Sequence, residues 1–230
     1  MHSSGLVFLG IISISTSLAQ VPVSQEPRHH NVLDNGHVRL LDVRIPPGDT
    51  TQFHIHATPS VFIVLTEAKT GSTVQSEEDR SASPIQYYGN IWFEGFYIKP
   101  RIHRVYNLDD HVFHVMDIEL TNSHYIPIDL PIQQEAFHFL FEEKPVRGYR
   151  LALSPGKKIF LEPRKADILM IQTGDSADSK GTTAITFRNQ QAHANRFHSK
   201  GDFAYLESGN AIEIKNEGSG MTEFAFFELK

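Results

Sequence analysis

The sequence predicts an all-β protein, and three features carry that expectation. Apolar runs rich in Val, Ile, Phe and Tyr, among them "HVRLLDVRI" (37–45), "VFIVLTE" (61–67), "NIWFEGFYI" (90–98) and "HVFHVMDIEL" (111–120), are cut apart by Pro, Gly, Asn and Asp. β-branched and aromatic residues fit a pleated, half-buried surface, and the punctuating residues favour turns. Helical periodicity is scarce, its best candidate being "IQQEAFHFLFEE" (132–143) between Pro131 and Pro145. The chain also repeats itself: "VRLLDVRIPPG" ending at Gly48 matches "VRGYRLALSPG" ending at Gly156, 108 residues on. Likewise "NLDDHVFHVMDIEL" (107–120) matches "NEGSGMTEFAFFEL" (216–229), 109 residues on. Two matches at nearly one offset imply two copies of a single unit, with the boundary around residues 122–146. Mostly antiparallel strands in a barrel or sandwich are expected.

From the N-terminus, residues 1–19 form an apolar, uncharged stretch ending "SLA", with Ser17 and Ala19 at the −3 and −1 positions of a cleavage site before Gln20. That pattern reads as a secretory signal peptide, although its start carries no Lys or Arg. The apolar run falls short of the ~20 residues a membrane span needs. The expected location is secreted or periplasmic, with no membrane association after cleavage. The following "VPVSQEPRHH" (21–30) is polar and broken by proline, which predicts a loose lead-in. The 230-residue chain has no cysteine and a net charge of −6. Disulfides and thiolate ligands are therefore excluded, and the basic surplus of a nucleic-acid binder is missing. Histidine, present thirteen times, is the remaining soft ligand.

The segment "PPGDTTQFHIH" (46–56) places two histidines one residue apart after a Gly-containing turn. Residues i and i+2 of a strand share a face, so His54 and His56 project together while Phe53 and Ile55 point the other way. Two imidazoles so placed chelate a divalent metal if a neighbouring strand supplies a third ligand. "PRIHRVYN" (100–107) offers His103, four residues before Asn107.

These residues resemble the cupins. Gly48, His54 and His56 match the spacing of the family's first motif, and His103 and Asn107 match the end of its second. Pro100 stands where that second motif has a glycine, and the opening glycine is read as Gly89, three residues further upstream than usual, so "NIWFEGFYIKP" is expected to carry a short insertion or bulge. In the second copy Gly201, Gly209 and Asn216 keep the spacing, but Ile212 occupies the His103 position and Glu162 and Arg164 stand where His54 and His56 stand in the first. The resemblance implies tandem cupin (double-stranded β-helix, or jelly-roll) barrels. After the signal peptide, residues 20–122 would form an N-terminal domain with the metal site, 123–145 a linker with helical potential, and 146–230 a degenerate C-terminal domain.

The family's usual glutamate ligand would fall near Pro59 or Ser60, neither a carboxylate, so the implied site is three neutral imidazoles without protein charge. Three-histidine cupins include oxygenases that bind a bidentate substrate on iron. Imidazoles suit Fe, Zn, Mn, Ni or Cu, and spacing does not choose among them. Two readings stay open. One is a metal-dependent dioxygenase (or a cupin-type isomerase or lyase) acting on a small chelating substrate; the other is a non-catalytic small-molecule binding module whose metal is structural or absent. Pairing as a homodimer is a further expectation from the resemblance.

Around this core, Trp92 and Glu94 share a strand face, either lining the cavity with Glu94 as a general base or serving as a barrel aromatic and an edge carboxylate. His114 is a candidate fourth ligand or proton carrier. Asn107 reads as a turn residue, since it recurs as Asn216 where the ligands do not. His29, His30, His193 and His198 read as solvated. No Gly-x-Ser-x-Gly elbow, phosphate-binding loop or His-Glu-x-x-His helix is present.

Overall fold

A computed structural model describes residues 20–75, 81–82, 85–175, 183–187 and 195–230. Residues 1–19, with the expected signal peptide, and His193 lie outside the described residues. The described chain is β-structure, apart from a single 3-10 turn at Val23–Gln25. Its first half contains β1 (Val21–Pro22), β2 (His29–Asp34), β3 (Arg39–Ile45), β4 (His54–His56), β5 (Ser60–Val64), β6 (Thr70–Val74), β7 (Ser81–Ala82), β8 (Ile91–Glu94), β9 (Arg101–Asn107) and β10 (Phe113–Glu119). The second contains β11 (Phe137–Glu142), β12 (Val146–Leu153), β13 (Lys158–Leu161), β14 (Asp167–Gln172), β15 (Thr183–Phe187), β16 (Asn195–Phe197), β17 (Phe203–Leu206), β18 (Ile212–Asn216) and β19 (Thr222–Leu229).

These strands form four sheets. The first half has β1-β4-β9-β6-β7 facing β2-β3-β10-β5-β8, and the second has β13-β18-β15-β16 facing β11-β12-β19-β14-β17. Strand order in the two halves is the same, β1 being the one addition. Register follows suit: Arg39 lies opposite Glu119 and Leu41 opposite Asp117, as Arg147 lies opposite Glu228 and Tyr149 opposite Phe226. Both halves keep the resulting ion pair, at 2.8 Å for Arg39–Glu119 and 2.9 Å for Arg147–Glu228. Gly48 and Gly156 both turn the chain in the left-handed region, at φ +69° and +72°, which only glycine enters without strain.

Asn107 is a turn residue, as the sequence suggests. Its Nδ2 donates to the carbonyls of Ile45 (2.9 Å) and His111 (2.6 Å). Asn216 does the same to Leu153 and Gly220, both at 2.8 Å.

Alternation decides where apolar residues go. On β10, Met116 and Ile118 face away from Phe113, Val115 and Asp117. The former join Leu40, Ile63 and Leu65 in one cluster with Leu169, Ile171, Ala225 and Phe227 of the second half. The two central sheets therefore pack back to back, both faces buried, and all seven residues of β10 are buried. At roughly 1.5–3 kcal/mol per fully buried large apolar side chain, this layer holds the halves together.

The helical expectation for 132–143 is overturned. Residues 137–142 form β11, paired with β12 through a bulge between Phe139 and Phe141. Phe137 enters the interior cluster of the second half and, beyond the bulge, Phe141 packs against the cluster between the halves. Pairing with the free edge of β12 outweighs the isolated helical propensity of twelve residues. The first strand of the second half thus comes from the stretch expected to be linker.

Candidate metal centre

The turn at Gly48 delivers the chain to β4. Thr51 pins this approach, its N–H reaching the Val105 carbonyl (2.9 Å) and its hydroxyl accepting the Val105 N–H (2.8 Å). β4 then pairs antiparallel with β9, which sets His54 directly opposite His103. His54 and His56 share the inward face, and both are buried. The three rings converge, with centroids 5.0 Å apart for His54–His56, 4.7 Å for His54–His103 and 5.1 Å for His56–His103. One nitrogen from each lies within 4.8 Å of the other two.

Hydrogen bonding orients the set. His54 Nδ1 is 2.9 Å from the Gln52 carbonyl. A carbonyl only accepts, so Nδ1 carries the proton and Nε2 presents its lone pair. His103 Nδ1 is 3.3 Å from the Ser72 hydroxyl, while its Nε2 is buried without a hydrogen-bond partner, as is His56 Nδ1. Burial, reinforced by the neighbouring His29, pushes His54 down to about 4. Burial and the adjacent imidazoles hold His56 and His103 well below the usual histidine range. All three are neutral near pH 7, the protonation state a metal requires.

The opposite sheet adds a carboxylate that the sequence reading did not anticipate. Asp117 on β10 lines the same cavity, is 1% exposed, and places Oδ2 3.6 Å from His56 Nδ1. Neither of its oxygens makes a geometrically sound hydrogen bond among the described residues. Burial raises Asp117 well above the usual carboxylate range, Glu119 adds to this, and Ser60 acts the other way. The site is therefore more than the imidazole trio that the motif alone implies, since a buried carboxyl group stands beside it. The repeat held the clue, since Asp117 stands where the second copy has Phe226.

His29 is a second correction. It is buried, not solvated, with Nδ1 2.6 Å from Glu26 Oε2 and its ring 4.8 Å from that of His54. Burial would raise Glu26, but hydrogen bonds from His29, Gln52 and Arg28 outweigh it and hold this carboxylate below its ordinary value. The lead-in hides the pair because it packs through Val23 and a single turn rather than a long strand.

His114 is a third. Its neighbours Phe113, Val115 and Asp117 line the cavity, so alternation turns His114 to the other face. There Nε2 meets Asp42 Oδ1 at 2.7 Å, and Gly201 of the second half lies close enough that an added Cβ would stand 3.3 Å from its ring. It takes no part in the cavity. His30 and His198 are exposed, as expected. Trp92 and Glu94 both line the cavity, Trp92 stacked on Phe62 at 5.1 Å and 22°. Arg101 lines it as well. The interior measures about 160 Å³, close to the ~150 Å³ of an engineered protein cavity that takes benzene.

The second half fills the equivalent space with hydrocarbon. Leu161 lies opposite Ile212 where His54 lies opposite His103. The sequence alignment is thus one residue out: Glu162 is exposed, and Arg164 turns to Glu228 at 2.7 Å. Ile212, Leu161, Phe224 and Phe226 join one core cluster.

No family model and no curated protein sequence matches the chain. Among solved structures it is similar to AerE from Microcystis aeruginosa, with TM-score 0.59 and 12% identity over 89% of this chain and 98% of that one. It is also similar to oxalate decarboxylase of Bacillus subtilis, with TM-score 0.56 and 12% identity over 88% of this chain and 75% of that one. Salicylate 1,2-dioxygenase from Pseudaminobacter salicylatoxidans gives TM-score 0.56 and 10% identity over 84% and 71%. The fold is a cupin fold. At these identities the likeness is one of architecture, so chemistry has to be argued from the cavity.

Proposed function

We propose that the chain is an exported bicupin whose N-terminal half holds one divalent transition metal on His54, His56 and His103, and that it is a dioxygenase acting on a small chelating substrate. The observation that carries this reading is the pairing of three neutral, converging imidazoles with the buried, unpaired Asp117. Burial favours the uncharged carboxyl of Asp117 in the metal-free protein, and a cation held by the three rings would favour its ionised form instead. A bound divalent ion would supply Lewis acidity, polarising substrate oxygens and lowering the substrate's pKa.

The remaining work falls to side chains. Asp117 balances charge and, facing His56 Nδ1, favours the tautomer that presents Nε2 to the ion. Glu26 fixes the Nδ1 side of His29, leaving the other ring nitrogen available to the cavity. Glu94 is placed to accept a substrate proton, Arg101 to attract an anionic group, and Phe62 and Trp92 to shape the walls. The fold neighbours include enzymes named for oxalate and salicylate, both small oxygen donors, which supports a ligand of that kind. In the second half, hydrocarbon occupies the corresponding positions, so that half serves as a packing partner.

Metal analysis of purified protein should give about one equivalent per chain, and His54→Ala with His103→Ala should reduce it to background with the β-rich far-UV spectrum kept. Two equivalents, or occupancy indifferent to both substitutions, would refute the site. Oxygen uptake by the iron-loaded protein across a panel of catechols and 2-hydroxycarboxylates tests the reaction. Tight binding without uptake would favour the binding-module reading.

A further inference from the structure

The connection between β8 and β9, which borders the cavity, is longer than its counterpart in the second half. From Gly89 to Asn107 is 18 residues, whereas the matching span from Gly201 to Asn216 is 15. The three extra residues fall in "GFYIKP" (95–100), where Phe96 adopts φ +49°, the one positive φ of a non-glycine residue among those described. A bulky side chain in the left-handed region is a backbone outlier that its surroundings must hold in place. Those surroundings are visible. A Cβ on Gly95 would come within 2.6 Å of the Tyr97 ring, so only glycine lets that ring lie on the backbone, and Tyr97 in turn rests against Phe93. The Phe96 ring turns inward, lines the cavity and stacks on His56 at 5.5 Å and 20°. Phe62 meets the same imidazole edge-on at 5.6 Å and 70°.

We infer that Phe96 is the specificity-determining residue of the cavity. Its ring covers the His56 side and limits ligands to single-ring or similarly small chelators, in keeping with an interior of about 160 Å³. This rests on the metal-site reading above, and the test separates the two. Glycine is the informative replacement because it keeps the left-handed backbone and removes only the ring. Full-length protein loaded with Co(II) under nitrogen is titrated with catechol and with 2,3-dihydroxynaphthalene, and binding is followed in the cobalt visible spectrum. The two probes offer the same pair of oxygens and differ by one fused ring.

The wild type should favour catechol by about tenfold or more, a usual discrimination for a shape-limited pocket. Phe96→Gly should bring the two affinities within about twofold, through a gain by the larger diol, with cobalt content unchanged. Phe96→Trp should weaken both. An unchanged preference in Phe96→Gly, or equal affinities in the wild type, overturns the inference while leaving the metal site standing. Loss of cobalt from Phe96→Gly also overturns it, since the ring would then be holding His56 rather than sorting ligands. Failure of the folded wild type to take up cobalt removes the metal-site reading and this inference with it.

Discussion

The two halves share strand order, register, Arg–Glu ion pair and asparagine turn, yet their interiors are opposites. His54, His103 and Asp117 face the first cavity where Leu161, Ile212 and Phe226 fill the second. One backbone thus supports a polar, hollow interior and a dry one. The comparison shows that turns and edges specify the barrel, while a few inward positions decide between stability and chemistry. The hollow half carries polar groups in its interior that burial penalises, and the filled half, packed against it through Phe227, Leu169 and Ile171, lines its own interior with hydrocarbon.

Grafting the second interior onto the first should break the contrast most completely. A His54→Leu, His103→Ile, Asp117→Phe variant is expected to bind no metal and to unfold at higher urea than the metal-free wild type, by about 1–4 kcal/mol. Replacing buried polar or charged groups with packed hydrocarbon typically has that sign. A lower urea midpoint with the fold retained would mean that the polar cavity is the better packed of the two.

The reciprocal exchange tests whether Asp117 is tolerated only because of its setting. Phe226→Asp places a carboxyl in a fully buried apolar cluster and should cost about 3–5 kcal/mol. Asp117→Asn should barely change metal-free stability but weaken metal binding by about 10–100-fold, the usual cost of losing a group that orients a histidine ligand. An unaltered metal affinity would remove Asp117 from the site.

Acid should then act through the hollow half. Folding lowers His54 to about 4 from an ordinary 6.5, so between those values the unfolded chain binds the extra proton and stability falls as pH falls. At about 1.4 kcal/mol per pH unit, His54 alone accounts for roughly 3 kcal/mol across this window. His56 and His103 act in the same direction, and Asp117, raised by burial, opposes them singly. Urea titrations of the metal-free protein from pH 7 to 4 should show this decline. Unperturbed imidazoles would shed metal at pH 6–7, whereas burial moves that loss lower, and release completed above pH 6 would contradict the geometry.

Much of this was legible in the chain. The i, i+2 spacing of His54 and His56 fixes a shared face whatever the barrel does, and the offset between copies gives the strand plan. What escaped the sequence depends on tertiary placement. Asp117 looks like a surface residue until its parity with Phe113 and Val115 points it inward. His29 sits in a segment with too little periodicity to show burial. The helical reading of 132–143 failed because partner strands are not visible in a window of twelve residues. The one-residue slip that named Glu162 in place of Leu161 arises because the match to β4 rests on a turn glycine, whereas pairing is set by the strand opposite.

The smallest expected effect concerns what the halves share. Asn107→Ala and Asn216→Ala each strip a side chain that donates to two carbonyls and accepts one backbone N–H. Since both residues are buried, the carbonyls left behind should cost about 1–3 kcal/mol in each case. Equal losses would identify the turn as scaffold, indifferent to the interior it encloses. Asn107 terminates β9 four residues after His103, so if the turn also aims that ligand, Asn107→Ala alone should lower metal affinity beyond its effect on stability. Comparing urea midpoints with metal dissociation constants for the two variants decides between these outcomes, and the matched geometry of the two asparagines favours the first.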